Sequence, residues 1–217
     1  MQAIVAYLID LLLLCVLLLA DHTCSAPWGD DSAYEFPEPI NVTEFLDTSN
    51  NIWTYLTTAN DSWKCKVDKK VFMNRTHILF DRKYRTDSTI VTHNMQGEFT
   101  GSLLPYYDSM KVGFRGSSPI TGIEELIYQG KDNYCGVFEL RNVTRVITGP
   151  CYYLYNRPCW QYRAFDIRVK GFGGRVSAQE CLKWFNDTYP EETFRRVLYE
   201  TSCNSLVRWN MLSPKIQ

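Results

Sequence analysis

"YQGKDNYCGVFEL", residues 128–140, holds the pattern that decides the fold. A polar turn, "GKDN", is followed by a cysteine and then by small, apolar and acidic side chains in alternation. Period-two alternation after such a turn is the mark of a β-strand with one buried face. The same pattern recurs outward in both directions. Candidate strands are "NIWTYLTT" (51–58), "CKVDKKVFM" (65–73), "HILFDRKYR" (77–85) and "STIVTHNM" (88–95). They continue with "MKVGFRG" (110–116), "GIEELIYQ" (122–129), "YCGVFELRNVTRVI" (134–147) and "YRAFDIRVK" (162–170). Short strands at near-regular spacing, separated by Gly, Asn and Asp, predict an up-and-down barrel or a sandwich.

Helical signals flank this region. "EPINVTEFLDTSN" (38–50) reads as a short helix before the first strand. After "GFGG" (171–174) the period changes. "SAQECLKWFNDTY" (177–189) groups Cys181, Leu182, Trp184 and Phe185 at helical spacing, with Ser177 as N-cap. "PEETFRRVLYETSC" (190–203) opens on Pro and two Glu, a helix-start signal.

The 217 residues begin with an apolar run, "LLLLCVLLLA" (11–20), too short for a bilayer and suited to a signal peptide. Cleavage is expected near Ser25 or Ala26, so residues 1–26 are read as leader and 27–217 as one exported domain. The 24 acidic residues, less Asp10 and Asp21, leave 22 against 23 basic ones. Such balance gives no support for nucleic-acid or anionic-membrane binding. Cys15 and Cys24 fall in the leader; Cys65, Cys135, Cys151, Cys159, Cys181 and Cys203 remain, an even set that implies three disulfides of open connectivity. Sequons at Asn41, Asn60, Asn74, Asn142 and Asn186 add glycosylation to the secretory reading.

Signals for catalysis or a cofactor are missing. No H-E-x-x-H, G-x-S-x-G, P-loop or dinucleotide fingerprint occurs, and "GFRGSS" (113–118) reads as a hairpin turn. With no C-x-x-C and only His77 and His93 outside the leader, a metal site is not expected. Neither histidine has a nucleophile motif nearby, Glu124 and Glu125 point to opposite faces of a strand, and Glu191-Glu192 suit a helix start. The expectation is a binding protein without cofactor. An eight-stranded barrel has room for one small ligand, and an inward charge would signal a ligand of opposite sign.

At "YCGVFEL", "CLKWFNDTY" and "ETFRRVLYETSC" the chain resembles the tick salivary lipocalins of the histamine-binding family. The resemblance runs from the helix before "NIWTYLTT" to Cys203 and is most specific in the C-terminal third, where Phe165-Asp166-Ile167 precedes the Cys-Leu helix. It implies an eight-stranded antiparallel lipocalin β-barrel with an N-terminal helix and a C-terminal helical tail packed outside. It also implies a monomer secreted in saliva that captures a host mediator: a biogenic amine, a leukotriene-type lipid or, for some members, a host protein.

The family's framework would pair Cys65 with Cys203 and Cys135 with Cys181, leaving Cys151 and Cys159, which bracket "YYLYNRP", to pair with each other. With Cys135 tied to an outer helix, strand parity sends Gly136, Phe138 and Leu140 inward and Val137 and Glu139 outward. The resemblance places Glu124 and Asp166 as the two acids of an amine site, and strand parity puts Tyr128 on the same face as Glu124. Parity alone would turn Asp166 to solvent, because Phe165, Ile167 and Val169 look like the buried face. Two departures stand out. Arg168 replaces the Trp of the amine binders, and Gly136 replaces the acid of a second amine site. The expected ligand is histamine or serotonin in one site; a fatty-acid or leukotriene carboxylate on Arg168, or a host immune protein on the surface, is the alternative.

Overall fold

The computed structural model describes residues 40–87, 89–101, 106–117, 122–142, 163–172 and 174–208. They belong to one unit, Pro39–Gln217; the other unit, Met1–Glu38, lies outside the described residues. The proposed leader and the Cys151–Cys159 pair therefore fall outside them as well.

A short helix, α1 (Val42–Leu46), precedes eight strands: β1 (Ile52–Thr57), β2 (Lys64–Met73), β3 (His77–Arg85), β4 (Ile90–Thr100), β5 (Ser109–Phe114), β6 (Gly122–Gln129), β7 (Cys135–Asn142) and β8 (Arg163–Lys170). Each pairs antiparallel with the next, and β1 pairs with both β8 and β2, so the sheet closes on itself. Closure excludes the sandwich and gives the lipocalin-type barrel. The alternation read from sequence is the alternation of burial: along β3, Ile78, Phe80, Arg82 and Tyr84 are buried and the residues between them are not. Strand β8 departs from it, with six consecutive buried residues, because both of its faces are covered. Phe165, Ile167 and Val169 pack beneath an outer helix, α2 (Arg175–Thr188), while Asp166 and Arg168 point into the barrel.

Two bridges anchor the outer layer. Cys135–Cys181 ties β7 to α2, and Cys65–Cys203 ties β2 to the C-terminal segment. Each closes a long loop and stabilises the fold by roughly 2–4 kcal/mol. Inside, Phe45 of α1 meets Phe138 edge-on at 5.3 Å, and with Leu46, Ile52, Ile78, Phe80 and Met110 it fills one end of the barrel. A void of about 10 Å³ persists there, room for about one water.

Three expectations need correction. Gly174, not Ser177, is the N-cap of α2; the helix starts at Arg175 and takes Ser177 into its first turn. The helix expected over 38–50 spans only Val42–Leu46, where Asn41 caps it through the Thr43 amide. Residues 190–203 do not form one helix. They hold a two-residue strand, β9 (Arg196–Val197), paired with β1, and a 3-10 turn at Thr201–Asn204, followed by α3 (Ser205–Arg208). Tertiary pairing overrides local propensity here: the Leu198 amide donates to Tyr55 O and the Cys65 amide donates to Leu198 O, bonds that a helix would forfeit.

Candidate functional site

The inward residues of β3 serve as a ruler down the barrel. Ile78 and Phe80 belong to the filled apolar end, Arg82 lies at mid-height, and Tyr84 lies near the other end. At the level of Arg82 six charged side chains meet: Lys66 and Asp68 from β2, Arg82, Glu124 from β6, and Asp166 and Arg168 from β8. All six are buried. Arg82 donates to both oxygens of Asp68, from Nε at 2.8 Å and Nη2 at 2.7 Å, and from Nη1 to Glu124 at 2.8 Å. Arg168 Nη1 lies 2.6 Å from the other Glu124 oxygen, and its Nη2 donates to Asp166 at 3.2 Å. Lys66 donates to the same Asp166 oxygen at 2.7 Å, and the Thr57 hydroxyl donates to the second at 2.7 Å.

Three cations therefore face three anions, and every carboxylate oxygen of the three acids has a partner. Charge removed from water is costly unless it is paired, and the pairing here is complete on the acid side. Burial pushes the Glu124 carboxyl up, but Arg168 and Arg82 more than offset it and hold it well below the usual carboxylate range. Asp166 is likewise held low, against its burial, by Lys66 and Arg168. Both acids stay ionised at any physiological pH.

The donor side is not complete. Arg168 Nε is buried without a hydrogen-bond partner, and Nη1 sits close to Glu124 without hydrogen-bond geometry. The Arg168 guanidinium lies over the Phe138 ring at 4.2 Å, within cation–π range. Lys66 spends one of its three N–H donors on Asp166, and its ammonium lies 5.7 Å from the Trp63 ring centroid. Trp63 begins an aromatic group beyond the network. It stacks on Tyr84 at 4.4 Å, Tyr84 Oη and His93 Nε2 are 2.8 Å apart, and Phe114 meets the His93 ring edge-on at 5.0 Å. His77 lies elsewhere, exposed and bonded to Thr76.

Of the expected ligand residues, Glu124, Asp166, Arg168, Phe138 and Gly136 all come together inside the barrel; Asp166 and Arg168 touch, and Glu124 touches Arg168. Gly136 faces Leu126 and Phe45, so it contributes space at the filled end. Tyr128 does not belong with them. A bulge between Leu126 and Tyr128 shifts the register so that Tyr128 pairs with Val137 of the outer face. Its ring stacks on Trp184 at 4.6 Å and its hydroxyl donates to Glu180; burial and that carboxylate push it up to about 12. Glu139 faces outward, as parity requires, beside Arg141 and Arg163.

Lys66, Asp68, Arg82 and Thr57 were missed. The signal was present in part: an outward Cys65 on β2 forces 66 and 68 inward, and Ile78 and Phe80 on β3 put Arg82 on the same face. Among the described residues the one cluster with metal-ligand spacing is Cys65, Glu200 and Cys203, and its two sulfurs are joined to each other. Three sequon asparagines, Asn60, Asn74 and Asn186, are exposed; Asn41 is part-buried with its side-chain oxygen engaged by Thr43, and the Asn142 side chain lies outside the described ones.

No family model matches the chain, and no curated protein matches it. Among solved structures it is similar to the siderocalin Ex-FABP, described as functioning through dual ligand specificities, at 9% identity over 70% of this chain and 94% of that one, TM-score 0.48. It is similar to AM182 in a serotonin complex, at 12% identity over 71% and 85% of the two chains, TM-score 0.44. Japanin from Rhipicephalus appendiculatus bound to cholesterol stands at 10% identity over 72% and 96%, TM-score 0.44.

Proposed function

We propose that this chain is an extracellular, non-enzymatic binding protein that sequesters one small molecule in the aromatic half of its barrel. The ligand presents an acid or carbonyl oxygen to Lys66 and Arg168. The single observation behind this is the imbalance of valences: every oxygen of Asp68, Glu124 and Asp166 is engaged, while Arg168 Nε and the Lys66 ammonium retain open donors. A fatty-acid or leukotriene-type ligand supplies such acceptors with an apolar body for Trp63, Tyr84 and Phe114. A biogenic amine brings one more cation to acids already neutralised. To reach Glu124 or Asp166 it must displace a buried guanidinium or ammonium, and orphaning a buried charge costs about 3–5 kcal/mol.

Capture is stoichiometric and without turnover. Two disulfides and three exposed sequons support an extracellular setting; the salivary setting and the host-mediator target rest on the residues that carry the resemblance. One observation favours a second reading, a host protein bound through the surface: the apolar end of the barrel is already filled by α1.

The test is calorimetric titration of the oxidised protein with leukotrienes B4 and C4, histamine and serotonin. Saturable leukotriene binding that is lost in Lys66→Met, with the amines silent, is the expected result. Saturable histamine binding lost in Glu124→Gln overturns it and restores the amine site. Silence from all four in a folded protein favours the surface reading.

A further inference from the structure

The closure of the barrel is uneven. Strands β1 and β2 pair directly at only two positions, Ile52 with Asp68 and Trp53 with Val67. Above Trp53 the two strands separate, and the C-terminal segment lies between them. Val197 and Arg196 pair with Leu56 and Thr57 of β1. Leu198 then bridges the gap, its amide donating to Tyr55 O at 2.8 Å and its carbonyl accepting from the Cys65 amide at 3.1 Å. The segment is strapped down on both sides: Arg196 to Asp61 of the β1–β2 loop at 2.5 Å, Glu200 to Arg85 of β3 at 2.7 Å, and Cys203 to Cys65 by the disulfide.

Cys65 carries a second sign of this. Its φ is +55°, in the left-handed region, at the point where the β2–β3 register slips. A side chain adopts that conformation at a cost and keeps it only where its surroundings hold it. Here the Leu198 carbonyl and the Cys203 sulfur do the holding. Immediately inside the seam, on the next residue of β2, is Lys66, joined to Asp166 and through it to Thr57 of β1.

We infer that the β1–β2 seam above Trp53 is a lateral gate to the charged floor of the barrel, and that the segment around Leu198 is its latch. With the latch in place Lys66 and Asp166 are sealed from the side. With it released, Cys65 relaxes toward extended backbone, and β1 and β2 are left with their two direct pairs, Ile52 with Asp68 and Trp53 with Val67. The inference concerns access to Lys66 and does not depend on which ligand the barrel holds; its consequence, control of ligand exchange, rests on the reading above.

The test reads the seam without a ligand. The full oxidised chain and its Cys203→Ser variant are pulse-labelled with an amine-acetylating reagent, and Lys66 is compared with exposed Lys183 by peptide mass spectrometry. Losing the disulfide that pins the latch raises Lys66 labelling at least about tenfold, with Lys183 unchanged. Amide exchange in β4–β7 checks that the barrel persists. Where Cys203→Ser loses the barrel, Leu198→Pro, which keeps the disulfide and removes the bond to Tyr55, takes its place with the same expected rise. A folded variant in which Lys66 stays as protected as in the parent overturns the gate. If Lys66 opens as expected and no tested small molecule binds, the gate stands and the ligand reading fails.

Discussion

Replacing Arg82 by Met tests whether the six charges act as a balanced set. Arg82 is buried, donates to both oxygens of Asp68 and shares Glu124 with Arg168. Removing it leaves two cations against three anions. Glu124 keeps Arg168 at 2.6 Å, but Asp68 loses both close partners and has only Arg168 Nη1 at 3.9 Å. Breaking one side of a buried pair costs about 3–5 kcal/mol, because the survivor is left charged and dry. A domain of this kind has about 5–15 kcal/mol in total, so the loss takes a large share of the stability. Asp68→Leu in the same chain restores two cations against two anions and fills the space with carbon. The double variant, Asp68→Leu/Arg82→Met, should therefore recover most of what the single variant loses. Equilibrium unfolding in guanidinium, with disulfides intact, measures both, and the cycle isolates the coupling between the two positions. A single variant that costs less than about 1 kcal/mol, or a double variant no more stable than the single, refutes the balance argument.

Two further outcomes follow from particular contacts. Gly136→Ala puts a methyl 2.7 Å from Leu126 Cδ1 and 3.0 Å from Phe45 Cε2, so it should lower stability by about 1–3 kcal/mol and loosen α1, seen as faster amide exchange at Phe45. Lys170, half-buried beneath the Phe45 ring, is pulled down by burial to about 8, against Glu44 and Asp47. Between about pH 8 and its ordinary value of 10.5 the unfolded chain holds a proton there that the folded chain has lost, so this group makes stability rise with pH. The difference between parent and Lys170→Met in unfolding midpoints across pH 7–11 isolates that slope; a difference flat with pH contradicts it.

How much of this was legible follows from which forces act locally. Alternation reports which strand faces avoid water, and with the turn residues between the runs it marked the eight barrel strands, although β1 and β8 are buried on both faces. It failed at Tyr128 and at residues 190–203 for the same reason. A bulge at Leu126/Tyr128 and a β9 strand held by Tyr55 and Cys65 are set by distant backbone that no local window contains. Asp166 shows the opposite error. Its neighbours Phe165 and Ile167 are buried, so parity alone turned it to solvent; they are buried under α2, and the acid is buried in the barrel.

The site itself was half legible because sign and position are separate kinds of information. Glu124, Asp166 and Arg168 were placed inside from the resemblance, yet their meaning depended on Lys66, Asp68 and Arg82, which no motif marks. Two inward acids alone describe a cation site. The same two acids with three inward cations and a third acid describe a neutral floor whose remaining valences are N–H donors. The charge a ligand meets is thus the sum over a ring of strands, and the acids of one strand, read alone, leave out the cations that neutralise them.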